Sequence, residues 1–174
     1  DLQGKIEAVL DGGSCSVGVE STVVDLTGEM PLLLRPGGIT HEELERVLGE
    51  VRLNFEYKEG ETPRSPGVKY KHYAPRAEVY IVRGSLAAYV ARHAAAYRRV
   101  GVLCKTPAVF PKNCIVRSMG SAPAEYAQTL FASLRAFDGD GVDVIFAEEL
   151  DGAGLNLATR NRLYKAAGYK FAEE

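Results

Sequence analysis

Two lysines, a histidine and two tyrosines fill five consecutive positions, Lys69-Tyr70-Lys71-His72-Tyr73. At that density ammonium, imidazole and phenol groups offer donors suited to a phosphate or carboxylate ligand. Pro66, Gly67 and Pro75 break periodic structure around them, so a loop or extended linker is expected. From Thr62 to Arg76 four cations (Arg64, Lys69, Lys71, Arg76) occur without an acid. The competing reading is a solvated basic spacer between domains. A plain spacer has no need of two tyrosines, which favours a binding segment.

Two more candidates lie upstream. Ser21 and Thr22 follow Gly18-Val19-Glu20 in an alternating pattern. They are either ordinary strand polarity or the end of a strand opening on a cleft, with Ser21 donating to a carboxylate or amino acid. Arg35 stands directly before Pro36-Gly37-Gly38. It is either a surface arginine or a planar guanidinium beside a glycine-opened backbone, able to reach phosphate oxygens. These glycines form no GxGxxG after a first strand, so no dinucleotide fingerprint is supported. His72 can hydrogen-bond a nucleotide or transfer a proton, its basic surroundings favouring the neutral form. His93 is expected in the core on the Leu86, Val90, Tyr97 face of a helix, and His41 in a structural role. Gly154 to Leu163 lead a helix whose N-terminus could receive an anion, although a plain cap is the commoner outcome. Asp143, Glu148 and Glu149 have no carboxylate placed opposite and are expected as solvated strand ends.

These groups need a scaffold, and 174 residues allow one large domain or two small ones. A net charge of −2 and a pI near 6.0 argue against a general nucleic-acid coat. No apolar run is long enough to span a bilayer, and no signal peptide is visible. Cys15, Cys104 and Cys114 make neither a CxxC nor a Cys/His metal spacing, and their odd number is a poor disulfide framework. A reducing cytoplasm is therefore expected. The sequence opens on Asp1-Leu2-Gln3 without a methionine, and its first 50 residues offer scant core for a free-standing domain. The expectation is the later part of a longer protein.

Strands are expected at 5–10, at 17–24 and at Leu32-Leu33-Leu34. Thr40 and Glu43 form a capping box for a helix with Leu44, Val47 and Leu48 as its buried stripe, closed by Gly49. From Glu78 strands and helices alternate. Strands are expected at 79–82, 100–104, 114–117 and 142–147. Helices are expected from a Ser85 cap to about Arg99, from a Ser121 cap with Pro123 in the first turn, and from 156 to 167. That order predicts a small, mostly parallel, doubly wound α/β domain.

Three segments carry a family resemblance: Val19-Glu20-Ser21-Thr22-Val23-Val24-Asp25, Leu34-Arg35-Pro36-Gly37-Gly38-Ile39, and Ser65 to Pro75. In this order they resemble the two-domain threonylcarbamoyl-AMP synthases, and Asn161-Arg162-Leu163-Tyr164-Lys165-Ala166-Ala167 resembles their C-terminal domain. The first two alone would indicate only the wider YrdC/YciO-type group. Val68 stands where the family usually has methionine.

The resemblance implies residues 1–50 as the tail of a YrdC-like α/β domain, 51–76 as a linker, and 77–174 as a small Rossmann-like domain. It implies an enzyme joining L-threonine, bicarbonate and ATP, with Mg2+, into threonylcarbamoyl-adenylate and pyrophosphate for tRNA modification. Ser21 would contact threonine, while Arg35 and His72 or Tyr73 would reach ATP with support from Lys69, Tyr70 and Lys71. The partners implied are the protein's own N-terminal YrdC-like region and other tRNA threonylcarbamoylation proteins, with no membrane. Without that N-terminal half the 174 residues alone are expected to be inactive. The alternative is a non-catalytic nucleotide- or tRNA-pathway binding module. A free-standing flavodoxin-like nucleotide binder is disfavoured, because no glycine-rich phosphate loop follows the strand at 79–82.

Overall fold

The structure is a computed structural model that describes residues 4–13, 15–55, 74–106 and 108–172. The residues of the motif Lys69–Tyr73 lie outside the described residues.

Two sheets are present among the described residues. The first is small: β1 (Val23–Asp25), β2 (Leu32–Arg35) and β3 (Arg52–Leu53), with helix α1 (His41–Leu48) between the last two. β1 runs antiparallel to β2, with Val23 opposite Arg35 and a register shift between Val23 and Val24, while β3 lies parallel to β2. The capping box is present as expected, Thr40 Oγ1 accepting from the Glu43 N–H while Glu43 Oε2 accepts from the Thr40 N–H. Three expectations need correction. Residues 5–10 form no strand and Leu10 is fully exposed. Strand structure begins only at Val23, because positive-φ Gly18 and the packing of residues 16–20 on later helices replace the alternating ladder. Of the expected apolar stripe of α1 only Leu44 is half-buried, whereas Val47 is 83% exposed and Leu48 is 38% exposed.

The second sheet contains β4 (Glu78–Val82), β5 (Val100–Cys104), β6 (Cys114–Ser118), β7 (Val144–Glu148) and β8 (Phe171–Ala172). All its pairings are parallel, in the order β6-β5-β7-β4-β8. Successive side chains point to opposite faces. Val79, Ile81, Leu103, Ile145 and Ala147 meet α3 (Pro123–Asp140) and α4 (Leu155–Ala167) on one face. Val82, Val102, Val144 and Phe146 meet α2 (Leu86–His93) on the other. Burial on both faces explains the nearly unbroken apolar strands, and the expected doubly wound parallel architecture is what forms.

Local endings differ from expectation. α2 stops at His93 and tightens into a 3-10 turn over Ala94–Ala96, because the Asn113 side-chain amide takes the Ala94 and Tyr97 carbonyls. His93 is exposed, stacked on Tyr89, and Ala94 takes the core position instead. Ser121 does not cap α3. Ala122 holds the cap position without a side-chain bond, and Glu125 Oε2 reaches back to accept from the Ser121 N–H at 2.6 Å. The two-residue β8, which pairs with β4, has no sequence signal of its own.

The two sheets share packing through α4. Leu157 closes a small core with Leu33 and Val51 of the first sheet, supported by Val24, Leu44 and Phe55.

Candidate functional site

Ser21 and Arg35, 14 positions apart, are brought into direct contact. Arg35 Nε donates to the Ser21 carbonyl at 2.9 Å, and Nη2 donates to Ser21 Oγ at 2.8 Å. Ser21 is exposed and Arg35 half-buried, so the pair is reachable from solvent. The antiparallel pairing of β1 with β2 places Arg35 opposite Val23, so the residues just before β1 meet the end of β2.

Backbone packing fixes the pair. A Cβ at Gly37 would lie 2.3 Å from both the Glu20 carbonyl oxygen and the Thr22 nitrogen. Only glycine lets the Pro36-Gly37 backbone lie directly on residues 20–22. The Thr22 hydroxyl completes the seam, donating to the Ile39 carbonyl at 2.7 Å and accepting from the Ile39 N–H at 3.0 Å. Thr22 is thus a tie between two loops, where sequence pattern alone suggested ordinary strand polarity.

Behind this pair stand three groups that sequence reasoning did not assign. Arg162, on α4, is 4% exposed. Its Nε donates to Glu20 Oε2 at 2.5 Å, its Nη2 to the Pro36 carbonyl at 3.3 Å, and its Nη1 to Asn161 Oδ1 at 2.6 Å. Burial alone would raise the Glu20 carboxyl, but the hydrogen bond and charge of Arg162 outweigh it and hold it below its ordinary value. Lys165, one turn further along α4, is 7% exposed. Burial, then the charges of Arg162 and Arg35, bring its pKa down to about 8, against an opposing pull from Glu20. The available signal was the run Asn161-Arg162-Leu163-Tyr164-Lys165, whose basic residues recur three apart on one helical face.

Lys69, Tyr70, Lys71, His72 and Tyr73 lie outside the described residues, and the other candidates are structural. His41 Nε2 lies 2.6 Å from the Val51 carbonyl and ties α1 to β3. The N-terminus of α4 does receive an anion, from within the protein: the Gly154 N–H donates to Glu42 Oε1 at 3.0 Å, lowering the Glu42 pKa. Asp143 accepts from the Arg99 N–H, and Glu148 pairs with Lys105 at 3.1 Å. Glu149 bonds the Tyr164 hydroxyl and lies 3.5 Å from Arg83. Asp143 is exposed just before β7, as a solvated strand end should be, whereas Glu148 and Glu149 are half-buried and engaged in the fold. The cysteines are free; Cys104 is buried and Cys15 exposed. Among the described residues no group of three or more His, Cys, Asp or Glu side chains is placed to hold a metal.

Chemically, the Arg35 fork is engaged by Ser21, and what faces an incoming carboxylate or phosphate is the Ser21 hydroxyl proton together with the remaining guanidinium N–H groups. Comparison with known proteins decides the family. Residues 39–168 match the family described as threonylcarbamoyl-AMP synthase, C-terminal domain. The chain belongs to the threonylcarbamoyl-AMP synthase C-terminal domain family. It is 43% identical to the threonylcarbamoyl-AMP synthase of Pyrococcus abyssi and 40% identical to that of Bacillus subtilis, over 98% and 97% of its own length. It spans about half the length of these curated relatives, 52% and 51%.

Among solved structures it superposes on P. abyssi Sua5 complexed with L-threonine, with a TM-score of 0.89 and 42% identity. That match covers all of this chain and 53% of the other. A variant of the same protein, with a histidine and the tyrosine after it replaced by alanine, gives 0.88, 41%, and the same full coverage of this chain against 52% of its own. Ser21 and Arg35 lie before the stretch matched by the C-terminal domain family, within the part shared with these longer threonylcarbamoyl-AMP synthase relatives.

Proposed function

We propose that the chain is the later part of an L-threonylcarbamoyladenylate synthase. The observation that carries this reading is the Ser21–Arg35 pair, built by the two motif loops and seated on glycine-dependent backbone packing. In this reading residues 1–50 are the C-terminal portion of a YrdC-like catalytic domain, 51–76 the linker, whose first residues pair as β3 with the first sheet, and 77–174 the Rossmann-like domain. Exposed apolar side chains at Leu10, Val17, Leu26, Val47 and Leu53 support it, being suited to cover by further YrdC-like structure.

The threonine amine bonds to the bicarbonate carbon with loss of water, and an oxygen of the resulting carbamate attacks the α-phosphate of ATP. Pyrophosphate leaves and a mixed anhydride forms. Ser21 orients the threonine carboxylate and Arg35 meets nucleotide oxygens. His72 and Tyr73 reach ATP from the linker, with Lys69, Tyr70 and Lys71 supporting. The chain contains a single His-Tyr dipeptide, at 72–73, the residue types replaced together in the P. abyssi variant. Magnesium comes with the ATP phosphates, in keeping with its habit of binding through substrate oxygens. The product feeds tRNA threonylcarbamoylation in the cytoplasm with the other proteins of that pathway, and the 174 residues alone are inactive.

The test is pyrophosphate release from ATP, dependent on both L-threonine and bicarbonate, in these 174 residues and in the full-length protein. Release by the full-length protein alone supports the reading. No release from either refutes it and leaves the non-catalytic binding module.

A further inference from the structure

We infer that Arg162, from the last helix of the second α/β unit, is a positioning residue that sets the spacing of the Ser21–Arg35 pair by bridging both loops that carry it. The inference rests on the synthase reading for its function and on geometry for its mechanism.

Its partners are not scattered over the surface. Nε binds Glu20, the residue immediately before Ser21, and Nη2 binds the carbonyl of Pro36, the residue immediately after Arg35. One planar fork therefore fixes both neighbours of the pair from behind, while Arg35 ties the front through Ser21. The third nitrogen, Nη1, is held by Asn161 on α4 itself, which limits rotation of the fork. At 4% exposed, Arg162 is out of reach of solvent and of a substrate that approaches Ser21 from outside.

Removing either partner of a buried, hydrogen-bonded ion pair leaves the other charge uncompensated. Here the displaced group would be Glu20 or the Pro36 carbonyl, and the movement would pass directly to Ser21 and Arg35. A lysine keeps the charge but, as a point ammonium on a flexible stem, cannot hold two acceptors with fixed fork geometry. The Arg162→Lys substitution thus separates positioning from charge.

In the full-length protein, Arg162→Lys is expected to raise the threonine KM roughly 10- to 100-fold, the range covered by losing one hydrogen bond to a charged group. At saturating threonine kcat should change much less. A merely structural role would lower the amount of folded protein without moving KM. Glu20→Gln, which keeps the shape of the acceptor, serves if Arg162→Lys does not fold, with the same direction and a smaller rise. A crystal structure of whichever variant folds reads the Ser21–Arg35 distance independently of activity. Unchanged threonine KM with an unchanged Ser21–Arg35 contact overturns the inference. If the wild-type protein makes no adenylate, the synthase reading falls, and the Ser21–Arg35 contact in the variant crystal still decides whether Arg162 positions the pair.

Discussion

Gly37→Ala is the sharpest perturbation of the site, because it adds one methyl group and no charge. Gly37 does not use a left-handed backbone, so space alone excludes a side chain there. The new Cβ would lie 2.3 Å from two backbone atoms on the 20–22 segment, where ordinary contact begins at 3.4 Å. Backbone cannot rotate away as a side-chain tip does, so the two loops must part by about 1 Å. Overpacking on that scale costs about 1–3 kcal/mol. Because Ser21 sits inside the displaced segment, threonine affinity in the synthase reading should fall as much as ~100-fold, the worth of one hydrogen bond to a charged group. One neighbour calibrates the result. A Cβ at Gly38 meets the Val17 side chain at 2.9 Å, which can yield. Urea unfolding and threonine titration calorimetry on the full-length protein should therefore rank Gly37→Ala as far more damaging than Gly38→Ala. Equal effects at Gly37 and Gly38 would refute the backbone-contact argument.

Two further outcomes follow from α4. Lys165 has a folded pKa of about 8 against 10.5 when unfolded, so between those values the unfolded chain holds the extra proton and stability rises with pH. Below pH 8 the full penalty of about 3 kcal/mol applies, so the stability difference between Lys165→Met and wild type should shift by that order in favour of wild type from pH 7 to pH 10; a pH-independent difference in urea midpoints would contradict it. Leu157→Ala empties a position that is 6% exposed between the sheets and should cost about 2–5 kcal/mol, with hydrogen exchange rising first in β2 and α1; protection lost only in the second sheet would show that α4 does not support the first.

Legibility of the sequence followed the range of the interactions. The strands β4, β5 and β7 were legible because a parallel sheet covered on both faces writes continuous apolar runs into the chain. The capping box at Thr40 was legible because its partners are three residues apart. The end of α2 was not, since the Asn113 amide that terminates it comes from 16 and 19 residues away. Ser21 and Arg35 could be nominated from residue type and neighbouring glycines, but their contact depends on the antiparallel register of β1 and β2. Arg162 and Glu20 stand in segments that carry the resemblance, but their pairing was not legible because 142 positions separate them.

The buried charges of α4 also bear on why the second α/β unit accompanies the site. A helix packed between two sheets would gain stability from apolar residues at 162 and 165, since burying charge costs unless every donor is met. Arg162 has all three nitrogens met, two of them by the segments bearing Ser21 and Arg35, and burial depresses the pKa of Lys165. The first sheet cannot close its own core either, drawing Leu157 from the same helix. One helix therefore supplies both the missing apolar contact and the fork that spaces the pair. Any movement of α4 relative to the first sheet would therefore disturb the packing of that sheet and the Ser21–Arg35 geometry together.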